Sequence, residues 1–241
     1  MSNPRVCVIG GGVVGLASAY FLTERGVNDV VVLEADYIAS ASSGLSVGIV
    51  ETQYMEPLDI ALRVRAMQFF NWMEKEAGLD IVRNGYLRVS RDDESMKAAE
   101  RSVEIQRELG VKDARVLEQK DIAELIPEMK SDDMMGGLFG PSDGFIDGHL
   151  YCQTLVEILE SRGVAVKVKH PVREIQDRPE GGHRVVVEEG RSFDCDYVVN
   201  ASGAWARQVG EMAGVRTNVI PQRHQAAVMV TNKDYGYLIP S

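Results

Sequence analysis

The chain is poor in cysteine. Cys7, Cys152 and Cys195 are its only three in 241 residues. An odd, widely spaced set supports neither a disulfide scaffold nor a zinc site, and it reads as reduced, buried thiols of a cytoplasmic protein. Positive charge is also scarce. Lys plus Arg number 26 against 36 Asp plus Glu, a formal charge of −10, which argues against a nucleic-acid partner and against docking on anionic lipid. No apolar run has the length of a membrane span or the form of a signal peptide; the one near the N-terminus is interrupted by Gly10, Gly11, Gly12 and Gly15. There is no internal repeat and no low-complexity linker. The length suggests roughly one to two domains, enough to bury a core.

The interrupted run is what the sequence does have. Val6-Cys7-Val8-Ile9 leads into Gly10-x-Gly12-x-x-Gly15, then an apolar helix pattern, then Val30-Val31-Val32-Leu33-Glu34. In such a βαβ unit the first glycine permits the tight turn and the second lets backbone approach a pyrophosphate. The third lets helix and strand pack closely, and the helix N-terminus offers N–H groups to the diphosphate. Glu34, about 20 residues further on, is placed to accept both ribose hydroxyls of an adenosine. It would repel a 2′-phosphate. FAD or NAD is therefore expected, and NADP is disfavoured.

Past Glu34, residues 39–48 form a small-residue loop rich in hydroxyls, suited to covering a cofactor. Pro57 is expected to open a helix to about Ala77, stopped by Gly78, with Ile60, Val64, Met67, Phe70 and Trp72 as its core stripe. Residues 81–90 suggest a hairpin about Asn84-Gly85. Helices are expected over 92–109, 118–125 and 148–162, the last capped by Gly163, with strand and turn over 136–146. Strands over 164–169 and 171–175 and a hairpin near Gly181-Gly182 follow. Tyr197-Val198-Val199-Asn200 then delivers Ala201-Ser202-Gly203-Ala204-Trp205 to a strand end, where open parallel sheets bind ligands. Gln225–Thr231 reads as a last strand.

Taken in order, the glycine fingerprint, Ser42-Ser43-Gly44-Leu45-Ser46 through Glu51-Thr52-Gln53-Tyr54, Asp143-Gly144-x-Ile146-Asp147, Pro171-Val172-x-x-Ile175 and Val198–Trp205 resemble the D-amino-acid oxidase-like superfamily of FAD enzymes. Within it they most resemble the sarcosine oxidase beta-subunit or glycine-sarcosine oxidase branch. The resemblance implies an α/β fold: a Rossmann-like FAD domain with a parallel central sheet, over residues 1–84 and 145–220. An incomplete α+β substrate domain on a mostly antiparallel sheet would take 85–144 and 221–241. It further implies oxidation of the C–N bond of a small secondary amine or N-methyl amino acid by hydride transfer to FAD, with oxygen or another electron acceptor completing the cycle. Gly10, Gly12, Val13, Val14, Gly15, Glu34 and Ala35 would hold the ADP half. Ser42, Ser43, Leu45 and Ser46 would approach the pyrophosphate and ring, the Val172 backbone the adenine, and Ala201, Gly203 and Trp205 the other side.

On the substrate side the resemblance implicates Glu51, Tyr54 and His224, with one departure. Related amine oxidases usually carry at the position of Glu51 an arginine that grips the substrate carboxylate. Either the substrate has no carboxylate there, or Glu51 pairs with its ammonium group, or Glu51 points away; the bland reading is a surface salt bridge. Members of the family also continue beyond Ser241, so an incomplete substrate sheet covered by a partner chain or a second copy is expected. Two alternatives stay open. One is oxidation of a 2-hydroxy acid or polyol phosphate on the same fold, which needs an anion-binding cluster that the sequence shows only faintly at Arg223 and His224. The other is a flavin-binding subunit without turnover of its own.

Overall fold

In the computed structural model, which describes residues 3–227, 230 and 232–241, the opening motif folds as strand, turn, helix, strand: β1 (Arg5–Ile9), α1 (Val13–Glu24) and β2 (Asp29–Leu33). After the small-residue loop come β3 (Ile49–Val50), α2 (Pro57–Ala77), β4 (Tyr86–Ser90), α3 (Asp93–Glu108), β5 (Arg115–Glu118) and α4 (Gln119–Leu125). The strands β6 (Gly136–Gly140) and β7 (Gly144–Phe145) precede α5 (Gly148–Ser161) and β8 (Ala165–Lys167). The chain then adds β9 (Val172–Asp177), β10 (His183–Val187), β11 (Ser192–Cys195), β12 (Tyr197–Asn200) and α6 (Ala206–Met212). Local chemistry sets the helix ends. Pro57 supplies the preset φ of a first turn, and Gly78 closes α2 in the left-handed region at φ 69°. Asp92 and Ser95 cap α3 reciprocally, and the Asp147 carboxylate accepts the His149 and Leu150 amides at the start of α5.

The chain divides into two compact units. The first comprises residues up to Ser46 together with Asp147–Ala227. Its sheet is parallel throughout, in the order β12-β1-β2-β8, with Cys7 opposite both Val31 and Val198. β1 is central and almost wholly buried, which explains its unbroken β-branched and apolar run. Alternation turns Cys7 and Ile9 to one face, where they pack with Leu33, Ile175, Val185, Val187, Cys195 and Val209. That layer includes the antiparallel sheet β11-β10-β9. The three cysteines are buried and unbridged.

The second unit comprises Val47–Ile146 and the described residues from Val230 on. Its main sheet is antiparallel, β4-β6-β5, with every residue of β6 buried. Phe139 packs on Leu117, Ile122 and Met134 from one face, and Leu138 packs on Ala99 and Val103 of α3 from the other. β3 and β7 form a separate antiparallel pair.

Several expectations need correction. Residues 81–90 are not a hairpin: β4 pairs with β6, while Val82 bridges to Phe145. The Asn84-Gly85 turn (Gly85 φ 79°) redirects the chain between two partners. Gly136 and Gly137 give β4 and β5 room that side chains would fill, so the distant strand outcompetes the local one. In α2, Ile60, Val64 and Met73 are the buried seam, while Met67, Phe70 and Trp72 are only half-buried. Residues 47–84, expected with the nucleotide-binding part, lie in the second unit, and 221–227, expected with the substrate part, lie in the first. Of the expected strand 225–231, residues 225–227 and Val230 have no strand conformation; 228, 229 and 231 lie outside the described residues. Among the described residues no helix is long and apolar enough to cross a membrane.

Candidate functional site

The first unit contains a cleft of about 630 Å³, within the range of small-molecule sites. It opens at the C-terminal ends of β1, β2 and β12, where the sequence pattern places a dinucleotide. Five chain segments meet there. Gly10, Gly12, Val13 and Val14 come from the glycine turn; Glu34, Ala35 and Asp36 follow β2; Ala39–Ser43 belong to the small-residue loop; Val172, Ala201, Gly203 and Trp205 close the far wall.

The glycines do different work. A Cβ on Gly10 would collide with the Ala201 carbonyl, and one on Gly15 with the carbonyl of Gly10. Gly15 therefore does not line the cleft; it lets α1 sit on the turn. A Cβ on Gly12 meets no backbone, only the Ser43 hydroxyl at 2.9 Å. The space it would fill belongs to the cleft. Gly12 is also the N-cap of α1 and brings no capping side chain, the first turn carries no acidic residue, and the Val13 amide donates to Ser43 Oγ at 3.0 Å. This terminus suits a diphosphate.

Glu34 is held from two sides. Its Oε2 accepts the Gly11 amide at 2.6 Å and its Oε1 the Asp36 amide at 2.8 Å. Both bonds fix the rotamer and leave each oxygen a further lone pair, the acceptor arrangement that a ribose diol requires. A glycine cradle, an uncapped helix start and a locked carboxylate together fit the ADP portion of FAD.

Leu45 and Ser46, like Gly15, are predicted cofactor residues that lie away from this cleft. Leu45 is 78% exposed and Ser46 is also exposed, and neither lines it. Gly44 lies against Ala39 O and the His149 ring, which turns the loop outward after Ser43. Asp36, His170 and Gln208 line the cleft without having been anticipated. They neighbour motif residues, and no spacing of their own marks them.

The second unit holds a buried polar cluster. Glu51 is not a surface residue: it is 7% exposed and its Oε1 lies 3.0 Å from Arg63. Burial pushes its carboxyl above the usual range, and Arg63 and Arg88 oppose that rise. Arg63 lies over the Tyr54 ring at 3.5 Å, and Arg88 lies 5.0 Å from the same ring. Behind them Gln53 Nε2 donates to Asp143 Oδ2 at 2.8 Å, and Thr52 donates to Gln106 at 2.9 Å. A Cβ on Gly140 would fall on Gln53 and Asp143, so glycine is needed for that bond. Arg63 and Arg88 escaped sequence reading because they come from α2 and β4 and share no motif. His224 is exposed, in irregular chain after α6. Among the described residues no group of three or more His, Cys, Asp or Glu could hold a metal.

The family described as FAD dependent oxidoreductase matches residues 5–240. The chain is 31% identical to the mitochondrial dimethylglycine dehydrogenase of Rattus norvegicus over 228 residues, 93% of this chain and 26% of that protein. To the sarcosine oxidase subunit beta of Rhizobium meliloti (strain 1021) it is 29% identical over 231 residues, 92% of this chain and 55% of that one. The solved structure of L-proline dehydrogenase from P. horikoshii superposes with a TM-score of 0.81 at 25% identity, covering 91% of this chain and 58% of the other. The chain thus spans about a quarter of the dehydrogenase and just over half of the oxidase subunit.

Proposed function

The chain belongs to the FAD-dependent oxidoreductase family, and from that premise we propose that it takes part in oxidation of the C–N bond of a small secondary amine or N-methyl amino acid. The names of its relatives, dimethylglycine dehydrogenase and sarcosine oxidase subunit beta, support this substrate class. The second name also supports action beside another chain.

The observation that carries the reading is the cleft built by Gly10, Gly12 and the doubly held Glu34. Gly10 and Gly12 would let backbone approach the diphosphate, Ser43 would share its hydroxyl with the start of α1, and Glu34 would accept the ribose hydroxyls. Bound FAD supplies a two-electron acceptor for the amine carbon. Such chemistry asks the protein chiefly to orient the substrate and exclude water. The test is the visible spectrum of the purified chain, followed by anaerobic addition of N-methylglycine, N,N-dimethylglycine and proline. Flavin bands that bleach with one of these amines are the expected result. A colourless protein that takes up no added FAD, or bands that no amine bleaches, refutes the proposal.

A further inference from the structure

Strand order in the first unit fixes the order of sites along the cleft. The sheet runs β12-β1-β2-β8, with the glycine turn after β1 and Glu34 after β2. A nucleotide with its diphosphate on the turn and its ribose on Glu34 therefore carries its base past β2, to the end of β8. Residues 168–172 follow β8 there and are tied to β2: the Glu34 amide donates to the Lys167 carbonyl and the His170 amide to the Glu34 carbonyl, each at 2.8 Å. Pro171, Val172, Val209 and Met212 give the cleft apolar walls, a lining suited to a flat heterocycle. Arg173 pairs with Glu188 and Asp36 with Lys169, so the charges beside these walls are already matched.

His170 also lines the cleft, half-buried. Its Nδ1 lies 2.7 Å from the Val168 carbonyl. A carbonyl only accepts, so Nδ1 carries the ring proton, and in the neutral ring Nε2 is left as a bare acceptor. Nε2 has no partner among the described residues. The ring lies against Phe193, with centroids 6.1 Å apart, which limits its turning. Gln208, another polar side chain of the cleft, differs in kind. Its amide offers a donor or an acceptor by turning over, so it favours neither sort of base.

We propose that His170 reads the base of the dinucleotide, Nε2 accepting a hydrogen from the exocyclic amine of adenine. A purine with a carbonyl oxygen in place of that amine sets acceptor against acceptor and is rejected. The proposal rests on the reading of this cleft as the FAD site. It supplies a selectivity that the glycine turn and Glu34 do not, because diphosphate and ribose are the same whichever base is attached.

The test is fluorescence titration of the apoprotein with FAD and with flavin hypoxanthine dinucleotide, in which oxygen replaces the amine. The parent should bind FAD at least about tenfold more tightly, the effect of one lost hydrogen bond and an acceptor left unpaired. His170→Phe keeps a ring beside Phe193 and removes both nitrogens; it should weaken FAD and bring the two affinities within about twofold of each other. His170→Gln, whose amide can serve either base, should regain affinity for both without regaining selectivity. Equal or reversed affinities in the parent overturn the proposal, as does the parent's preference persisting in either variant. A parent that binds neither dinucleotide refutes the reading of the cleft, and this inference with it.

Discussion

Glu34 Oε2 accepts the Gly11 amide at 2.6 Å, so the residue that ends the second strand of the motif is bound to the middle of its glycine turn. The carboxylate is locked in place by its own chain. Glu34→Ala should therefore cost FAD affinity roughly 1–3 kcal/mol, or about five- to 150-fold, for a lost charge-assisted acceptor. Glu34→Gln should fall between, since it keeps one carbonyl oxygen. Flavin fluorescence titration measures both, and unchanged affinity in Glu34→Ala would show that the ribose lies elsewhere.

Gly12 and Gly15 should separate binding from folding. Gly12→Val enters open cleft beside the Ser43 hydroxyl, so flavin retention should be abolished while the melting temperature of the apoprotein moves little. Gly15→Val must displace the Gly10 carbonyl, an overpacking that costs about 1–3 kcal/mol or more. Copurification of undiminished FAD with Gly12→Val would contradict the first assignment, and an unshifted melting temperature for Gly15→Val the second.

FAD should be held without a covalent link. His149 stacks on Tyr37 at 6.4 Å between centroids, presses on Gly44 of the small-residue loop and does not line the cleft. Acid precipitation of the holoprotein should leave the yellow colour in solution. Colour retained in the pellet after washing would mean a covalent bond.

Asp143 should make stability fall as pH rises. Burial pushes its carboxyl up to about 6, against the pull of the Gln53 hydrogen bond. An unfolded aspartate titrates near pH 3.9 by comparison. Between about pH 4 and 6 the folded chain keeps a proton that the unfolded chain has released, so unfolding free energy declines across that window and stays lower above it. The loss is at most ~3 kcal/mol, and Glu51, also raised by burial, adds with the same sign. Urea melts at pH 4.5 and 7.5 should show the decline in the parent and a smaller one in Asp143→Asn. Equal declines would acquit Asp143.

By itself the sequence determined the nucleotide-binding half of the protein: strand, turn, helix, strand and terminal carboxylate lie within about 30 contiguous residues, the length of one βαβ unit. The helix ends at Pro57, Gly78 and Gly163 were legible for the same reason, because a cap acts on its nearest neighbours. Only tertiary structure decided that β4 pairs with β6 rather than folding back at Asn84, since glycines far along the chain make that room. Tertiary structure alone also turned Glu51 inward. Its partner Arg63 is one helix away and Arg88 one strand further, and the burial that raises its carboxyl and fixes both guanidiniums comes from packing that no local pattern encodes.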